Sequence, residues 1–226
     1  MVMRQIEFPL PRSRTFAPTA EQIKAARKAA HAAGRPSRAL LYALIFDTTG
    51  REFDFLGEWL PISYTKPSAI LARGEKWVGP QWSAIDQNLM MTIKPTKTEG
   101  STEVEVTFDL SVCPMVMEEL AQIPAEKRTG PLIVNDRTRL PYRYPNFRKG
   151  WNADFRAAGM PKGMWCRDLR AGGITEGGKA GVSLDDRRKV AGHAKPKTTE
   201  GYDRDQVEAQ RRSMKSRTDY RDKNDQ

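Results

Sequence analysis

The sequence has few of the residues that build disulfide or metal sites. Cys113 and Cys166 are its only cysteines, and His31 and His193 are its only histidines. Two thiols cannot form a disulfide framework, so a reducing compartment is the expected environment. Because no His and Cys residues cluster at ligand spacing, the sequence predicts no metal site.

Long hydrophobic runs are also missing. The apolar stretch 39–46 holds eight residues, whereas a membrane helix needs about 20. The first residues lack an apolar core followed by a small-residue cleavage site, so no secretory signal is predicted. We therefore expect no membrane partner and a cytoplasmic location.

Acidic residues are fewer than basic ones: 28 Asp and Glu stand against 38 Lys and Arg, which gives a formal net charge of +10. A surplus of this size favours polyanionic partners, nucleic acid before anionic membrane. Many basic proteins bind no DNA, however, so charge alone leaves a basic interaction protein open as an alternative.

Most of the chain has helical patterning. Thr19 followed by Gln22 forms a capping-box signature, and the helix that it opens ends at Gly34 and Pro36. A second apolar helix is predicted over 37–47, with a short helical turn through residue 56. Further helices are predicted over 114–123, 146–158, about 167–177, 183–191 and a segment that carries Tyr202.

Between residues 89 and 110 the pattern changes to alternation. Apolar residues recur at every second position over 89–93 and 104–110, with a turn at Gly100, which predicts an antiparallel hairpin with residues 94–101 at its tip. The expected fold class is mainly α with one small antiparallel β-sheet (α+β). We divide the chain into an extended N-terminal segment (1–17), one domain (18–207) and a polar, loose C-terminal tail (208–226).

Glycines at positions 172, 173, 177 and 178 lie in or next to one predicted helix. They lack the spacing of phosphate-binding loops, so no nucleotide cofactor is expected. Each glycine costs up to ~1 kcal/mol inside a helix. Either close packing or the approach of DNA explains them, and the pattern does not decide between the two.

Four separated motifs carry candidate chemistry. They are Thr49-Gly50-Arg51 after an apolar helix, Thr96-Lys97-Thr98 at the hairpin, Arg167-Asp168-Leu169-Arg170, and Gly192-His193 followed nine residues later by Tyr202. Taken singly, each has an ordinary explanation as a surface ion pair, a solvated lysine or a packed aromatic ring. Asp54, three residues after Arg51, either holds that arginine in place or takes part in a reaction.

In this order and spacing the motifs resemble the box pattern of the tyrosine recombinases, the phage integrase family. The resemblance covers about residues 18–205, and the segments 181–186 and 190–193 are similar to the family's helix leading into its Gly-His box. It implies that 18–207 is a catalytic domain. The implied function is site-specific recombination and DNA integration, in which DNA is cut and rejoined through a 3′-phosphotyrosine.

The resemblance also implies roles for individual residues. Two guanidiniums suit a phosphodiester because they donate paired hydrogen bonds and keep their charge at neutral pH. Arg51 and Arg170 are expected to clamp the non-bridging oxygens, and Tyr202 is expected to be the nucleophile. Lys97 is expected to protonate the departing 5′-oxygen, and His193 to hydrogen-bond the phosphate.

Two positions depart from the family's pattern. The family usually has a histidine where this chain has Arg167, and arginine is a poor general base because it stays protonated. Arg167 is therefore expected to add electrostatic stabilisation, with proton removal left to water, phosphate or another neighbour. Gly50 directly precedes Arg51, where the family commonly has one residue between.

The implied partner is double-stranded DNA, bound by a homo-tetramer, with a monomer or weak oligomer expected without DNA. No cofactor is expected, and the location is the cytoplasmic nucleoid of a bacterium or phage host. Integrases of the family usually place a DNA-binding domain before the catalytic one, but about 17 residues precede the first predicted helix. We therefore expect weak, strongly salt-dependent DNA binding with little sequence preference.

Two further alternatives stay open besides the basic interaction protein. Arg167 favours a catalytically impaired DNA-binding fragment of an integrase. A type IB topoisomerase-like enzyme uses the same chemistry, although the Gly-His motif and small size favour it less.

Overall fold

The computed structural model describes residues 14–94 and 105–190. Its helices are α1 (Ala20–Ala32), α2 (Pro36–Asp47), α3 (Glu52–Leu56), α4 (Pro114–Ala121), α5 (Tyr144–Ala157), α6 (Asp168–Lys179) and α7 (Leu184–Val190). Its strands are β1 (Glu58–Pro61), β2 (Leu71–Ala72), β3 (Glu75–Val78), β4 (Met90–Ile93) and β5 (Val106–Asp109). The predicted α+β class, mainly helical with small antiparallel sheets, is confirmed.

Helix α2 is the centre of the core. Every residue from Ser37 to Phe46 is buried, as expected of a helix that is apolar on nearly all sides and surrounded by other elements. It packs against α1, α3, α4 and α6. At its C-terminal end, the Asp47 carboxylate accepts hydrogen bonds from the backbone N–H groups of Met115 and Val116 at 2.9 and 3.2 Å. This carboxylate satisfies donors at the start of α4 that the helix itself leaves unpaired.

The predicted hairpin is present. Strands β4 and β5 pair antiparallel, with Met91 opposite Phe108 and Thr92 opposite Thr107. The Thr92 and Thr107 hydroxyls lie 2.9 Å apart, while Met91 and Phe108 face the core. The tip of the hairpin, with Lys97, lies outside the described residues.

The expectation of one sheet is wrong, because a second sheet of strand order β1-β3-β2 lies between α3 and the hairpin. Its strands have two to four residues, and Pro61 interrupts the apolar pattern. Trp77 anchors it: the indole is 1% exposed and its Nε1 donates to the Leu56 carbonyl at 3.3 Å. A few large aromatic contacts, rather than alternation, hold this sheet on the domain.

Within 14–94 and 105–190, no helix is long and apolar enough to cross a membrane. The same ranges contain no group of three or more side chains that are suited to hold a metal ion.

Candidate functional site

The loop between α2 and α3 has an unusual backbone that presents Arg51. Thr48 closes the end of α2, with its hydroxyl donating to the Leu44 carbonyl at 2.5 Å and accepting from the Gly50 N–H at 3.1 Å. Thr49 follows with a φ of 52°, in the left-handed region that β-branched residues rarely adopt. Its buried hydroxyl has no hydrogen-bond partner in the described structure. Strained backbone of this kind is found most often at functional sites.

Arg51 stands at the N-terminal boundary of α3. Its backbone N–H donates to Asp54 Oδ2 at 3.2 Å, and its guanidinium Nη1 lies 3.9 Å from the same oxygen. The Arg51 side chain remains 25% exposed, whereas that of Asp54 is 4% exposed. Of the two roles considered for Asp54, these contacts support the one in which it holds Arg51.

Arg170 joins α6 to the same loop. Its side chain is buried, and Nη1 donates to the Thr49 carbonyl at 2.6 Å. The contact places Arg170 two residues from Arg51 along the loop, although the two are far apart in the sequence. The fold therefore brings both proposed clamp residues to one region.

Two glycines of α6 allow this approach. A Cβ added at Gly173 would lie 2.2 Å from the Phe46 carbonyl oxygen, and one added at Gly172 would lie 2.3 Å from the Pro18 carbonyl oxygen. Real Cβ atoms do not come this close to backbone. Of the two explanations left open for these glycines, close helix packing accounts for positions 172 and 173.

Arg167 lies immediately before α6 and is exposed. Its guanidinium carbon is 4.2 Å from the centre of the Trp165 ring, and that of Arg14 is 4.7 Å from the same ring. Arg14 also forms two hydrogen bonds to the Asp168 carboxylate, at 2.9 and 2.6 Å. Cation–π contact with tryptophan holds a guanidinium in place and leaves its charge intact. Arg167 is thus a stacked, permanently charged cation, and its expected electrostatic role stays a prediction.

Glu52, next to Arg51, was not identified from the sequence. It is 4% exposed, and its Oε1 has no hydrogen-bond partner among the described residues. Burial raises the pKa of Glu52 to about 7, opposed by attraction to Arg167 and reinforced by repulsion from Asp168. The available signal was the position itself, a carboxylate directly after Arg51 in a short helix whose residues are mostly buried.

A groove of about 350 Å³ runs from α3 to the end of β4 that leads into the hairpin tip. Asp54, Lys66 and Lys94 are among its lining residues. Burial and the neighbouring charge of Lys94 lower the pKa of Lys66. The groove therefore leads from beside Arg51 towards the strand that precedes Lys97.

Three of the six expected site residues, namely Lys97, His193 and Tyr202, lie outside the described residues. The other three, Arg51, Arg167 and Arg170, all lie around the α2–α3 loop and the start of α6.

No family profile and no curated protein sequence matches the chain. Solved structures, however, do match this chain. The chain is similar to XerA recombinase, with 16% identity over 92% of this chain and 67% of that one, at a TM-score of 0.59. It is similar to a lambda integrase dimer bound to a COC′ core site, with 16% identity over 90% of this chain and 52% of that one, at a TM-score of 0.59.

A third similar structure is the catalytic domain of bacteriophage HP1 integrase, with 15% identity over 84% of this chain and 87% of that one, at a TM-score of 0.54. The chain thus spans about half of the lambda integrase chain but most of the isolated HP1 catalytic domain. This chain has the fold of the catalytic domains of tyrosine recombinases and integrases.

Proposed function

We propose that residues 18–207 form the catalytic domain of a site-specific DNA recombinase that cuts and rejoins duplex DNA through a 3′-phosphotyrosine at Tyr202. The observation that supports it most directly is the Arg170–Thr49 hydrogen bond of 2.6 Å. It fixes one guanidinium beside the loop that presents the other. Two convergent guanidiniums are what a phosphodiester needs when attack places more charge on its non-bridging oxygens.

The proposed mechanism gives each arginine a distinct part. Arg170, buried and bound to backbone, is a fixed donor. Arg51, a quarter exposed, closes on the phosphate from the loop. Arg167, stacked on Trp165, adds positive charge beside them without exchanging a proton.

The covalent steps fall to Tyr202 and Lys97, with His193 hydrogen-bonding the phosphate. The phenol oxygen of Tyr202 attacks phosphorus and gives up its proton to water, the phosphate or a neighbouring group, and the 5′-oxygen leaves with a proton from Lys97. The phosphotyrosine keeps the energy of the broken bond, so rejoining needs neither ATP nor a metal ion. Attack by a 5′-hydroxyl then reverses the step.

The partner in this proposal is duplex DNA held by several copies of the chain. The similar structures include a lambda integrase tetramer bound to a Holliday junction and XerH recombinase bound to a palindromic difH substrate. We propose a tetramer on two DNA sites for this chain, in the bacterial cytoplasm. This chain matches only about half of each of those two chains. We therefore expect tight DNA binding only where additional DNA-binding segments act together with this domain.

A second candidate is a DNA-binding module that no longer cleaves. Arg167 favours it, because a stacked guanidinium cannot accept the proton of an attacking phenol.

Covalent capture separates the two. A pool of nicked suicide duplexes with a randomised core is incubated with the protein, and adducts that survive denaturation are isolated and sequenced. The recombinase gives an adduct that is lost in Tyr202→Phe and lost or strongly reduced in Arg51→Lys, whereas the matched surface change Arg156→Lys keeps it. Duplex binding without any adduct supports the non-cleaving module, and an adduct that survives in Tyr202→Phe contradicts the assignment of the nucleophile.

A further inference from the structure

Glu52 is a buried carboxyl group that follows Arg51 in the chain and is close enough to Arg167 to feel its charge. Only 4% of its surface is exposed. Its Oε1 has no hydrogen-bond partner among the described residues. An ionised carboxylate without partners is costly at such a position, and proteins lower the cost by binding a proton.

Charged and titratable groups surround Glu52 from three sides. Arg167 and Asp168 act on it from the start of α6, with opposite signs. Cys166, which precedes α6, and Tyr144 of α5 both feel its charge, which contributes to the raised pKa of each. On its own helix it has Arg51 and Asp54 as neighbours. Asp168 is itself neutralised by Arg14, so Arg167 is the cation that the Glu52 carboxylate attracts most directly.

A carboxylate here competes with a DNA phosphate. When ionised, Glu52 offsets part of the charge of Arg167 and repels an incoming phosphate through an interior of low dielectric constant. When Glu52 is protonated, it no longer offsets the charge of Arg167 and no longer repels the phosphate. Since burial already places its pKa at about 7, a modest added repulsion is enough to change its protonation near neutral pH.

This inference rests on the proposed function. We propose that Glu52 takes up a proton from solvent when a DNA phosphate enters among Arg51, Arg167 and Arg170. Linkage makes the effect reciprocal, so protonation of Glu52 strengthens DNA binding by the same factor by which DNA favours the proton. Glu52 is thus a positioning residue: it sets how much charge Arg167 presents to the phosphate, and it forms no bond to the reacting atoms.

The test is the pH dependence of binding to a fluorescein-labelled duplex of mixed sequence, measured by anisotropy between pH 6 and pH 8 at constant ionic strength. Wild-type protein should lose about fivefold or more in affinity as pH rises, within the usual range of coupling between two sites. Glu52→Gln, which is permanently neutral, should bind at pH 8 nearly as tightly as at pH 6. The matched control Glu126→Gln, exposed on a surface turn, should follow wild type.

A second measurement needs no variant. Infrared difference spectra of the wild-type protein at pH 7.5, with and without the duplex, should show a gain in the protonated-carboxyl band on binding. Histidine and phosphate groups do not contribute to that band. Bound DNA with no gain in the band overturns the proposal, even where Glu52→Gln fails to fold.

The possible outcomes distinguish a failure of the proposal for Glu52 from a failure of the proposed recombinase function. Equal pH slopes in wild type and Glu52→Gln, with DNA bound, overturn the proton uptake and leave the recombinase proposal standing. A wild-type protein that binds duplex at no pH contradicts the proposed function itself, and the inference with it.

Discussion

Buried charges have different surroundings in the helical core and at the candidate site. In the core, Arg38 donates to both oxygens of Asp154 at 2.7 and 2.8 Å, and the Tyr42 hydroxyl donates to Asp154 at 2.7 Å. At the site, Glu52 Oε1 and the Thr49 hydroxyl are buried without a hydrogen-bond partner among the described residues. In the Arg38–Asp154 cluster the polar groups bond to one another, whereas at the site two buried side-chain oxygens have no such partner.

A second core cluster follows the same pattern as the first. Arg27 Nε donates to Glu119 Oε1 and the His31 ring nitrogen lies against Glu119 Oε2, each at 2.7 Å, and Arg27 also reaches Glu118. Groups paired in this way lock the relative placement of α1 and α4. Buried groups without a partner add no such restraint, and each calls for an explanation, which the proposed binding of a phosphate would provide.

The largest predicted effect is in the core. Asp154→Ala removes the partner of a buried guanidinium and of a buried hydroxyl, and loss of one member of such a pair typically costs about 3–5 kcal/mol. Chemical denaturation should show this loss. Asp185→Ala, which breaks an exposed pair with Arg188, is the control and should leave the midpoint nearly unchanged. A small loss in Asp154→Ala would show that the paired charges contribute little to the stability of the core.

The next loss of stability is expected where α6 packs against the end of α2 and the α2–α3 loop. Gly173→Ala forces a methyl group against the Phe46 carbonyl oxygen, at 2.2 Å, and the Thr49 methyl, at 2.9 Å. A destabilisation of about 1–3 kcal/mol is expected for such overpacking, with loss of DNA binding because the α2–α3 loop must move.

Gly177→Ala is the matched control for Gly173→Ala in the same helix, since its nearest atom is the Cδ of flexible Arg187 at 3.4 Å. It should be neutral or stabilising, because alanine favours helix by up to about 1 kcal/mol. Equal destabilisation by both substitutions would contradict the close-packing explanation.

An effect of similar size and opposite sign is expected at Glu52. Its pKa is raised on folding to about 7, so the folded state holds the proton more tightly than the unfolded chain. Its contribution to stability is full below the unfolded pKa and is lost as pH rises through about 7. Glu52→Gln should therefore match wild type near pH 4 and exceed it at pH 8 by about 1–3 kcal/mol. Denaturation curves that run parallel at all pH values would contradict the raised pKa.

The smallest effect on stability is expected at Arg51. Its guanidinium is a quarter exposed and 3.9 Å from Asp54, so Arg51→Ala should change the unfolding free energy by about 1 kcal/mol or less. Affinity for duplex DNA should fall all the same, because the substitution removes the phosphate contact that we propose for Arg51. Strong destabilisation together with unchanged DNA binding would assign Arg51 to the fold rather than to the site.

Local signals in the sequence predicted most of the helical framework. The Thr19 capping box is formed, with the Thr19 N–H donating to Gln22 Oε1 at 2.9 Å and the Thr19 hydroxyl accepting from the Gln22 N–H at 3.4 Å. Ser183 likewise accepts from the Asp186 N–H, at 3.0 Å, just before α7. Capping and periodicity involve residues three or four positions apart, so a single segment carries the whole signal.

Signals that depend on distant contacts were missed. Strands β1 to β3 exist because Trp77 packs against the backbone at Leu56 and Gly57, and no alternation in 58–78 indicates this. The raised pKa of Glu52 and the stacking of Arg167 on Trp165 were equally absent from the local pattern. The predicted helix that carries Tyr202, and the places of His193 and Lys97, lie outside the described residues and stay predictions.

The sequence by itself determined the helices, the hairpin and the order of the candidate residues along the chain, because spacing and charge are properties of the chain alone. Tertiary structure decided which charges are paired and which are left underbonded. Arg38 and Arg170 are both buried arginines on helices, yet one is held by a carboxylate and the other by a strained loop. That difference arises only when α5 and α6 pack against the rest of the domain, since burial and electrostatic attraction depend on distance in space.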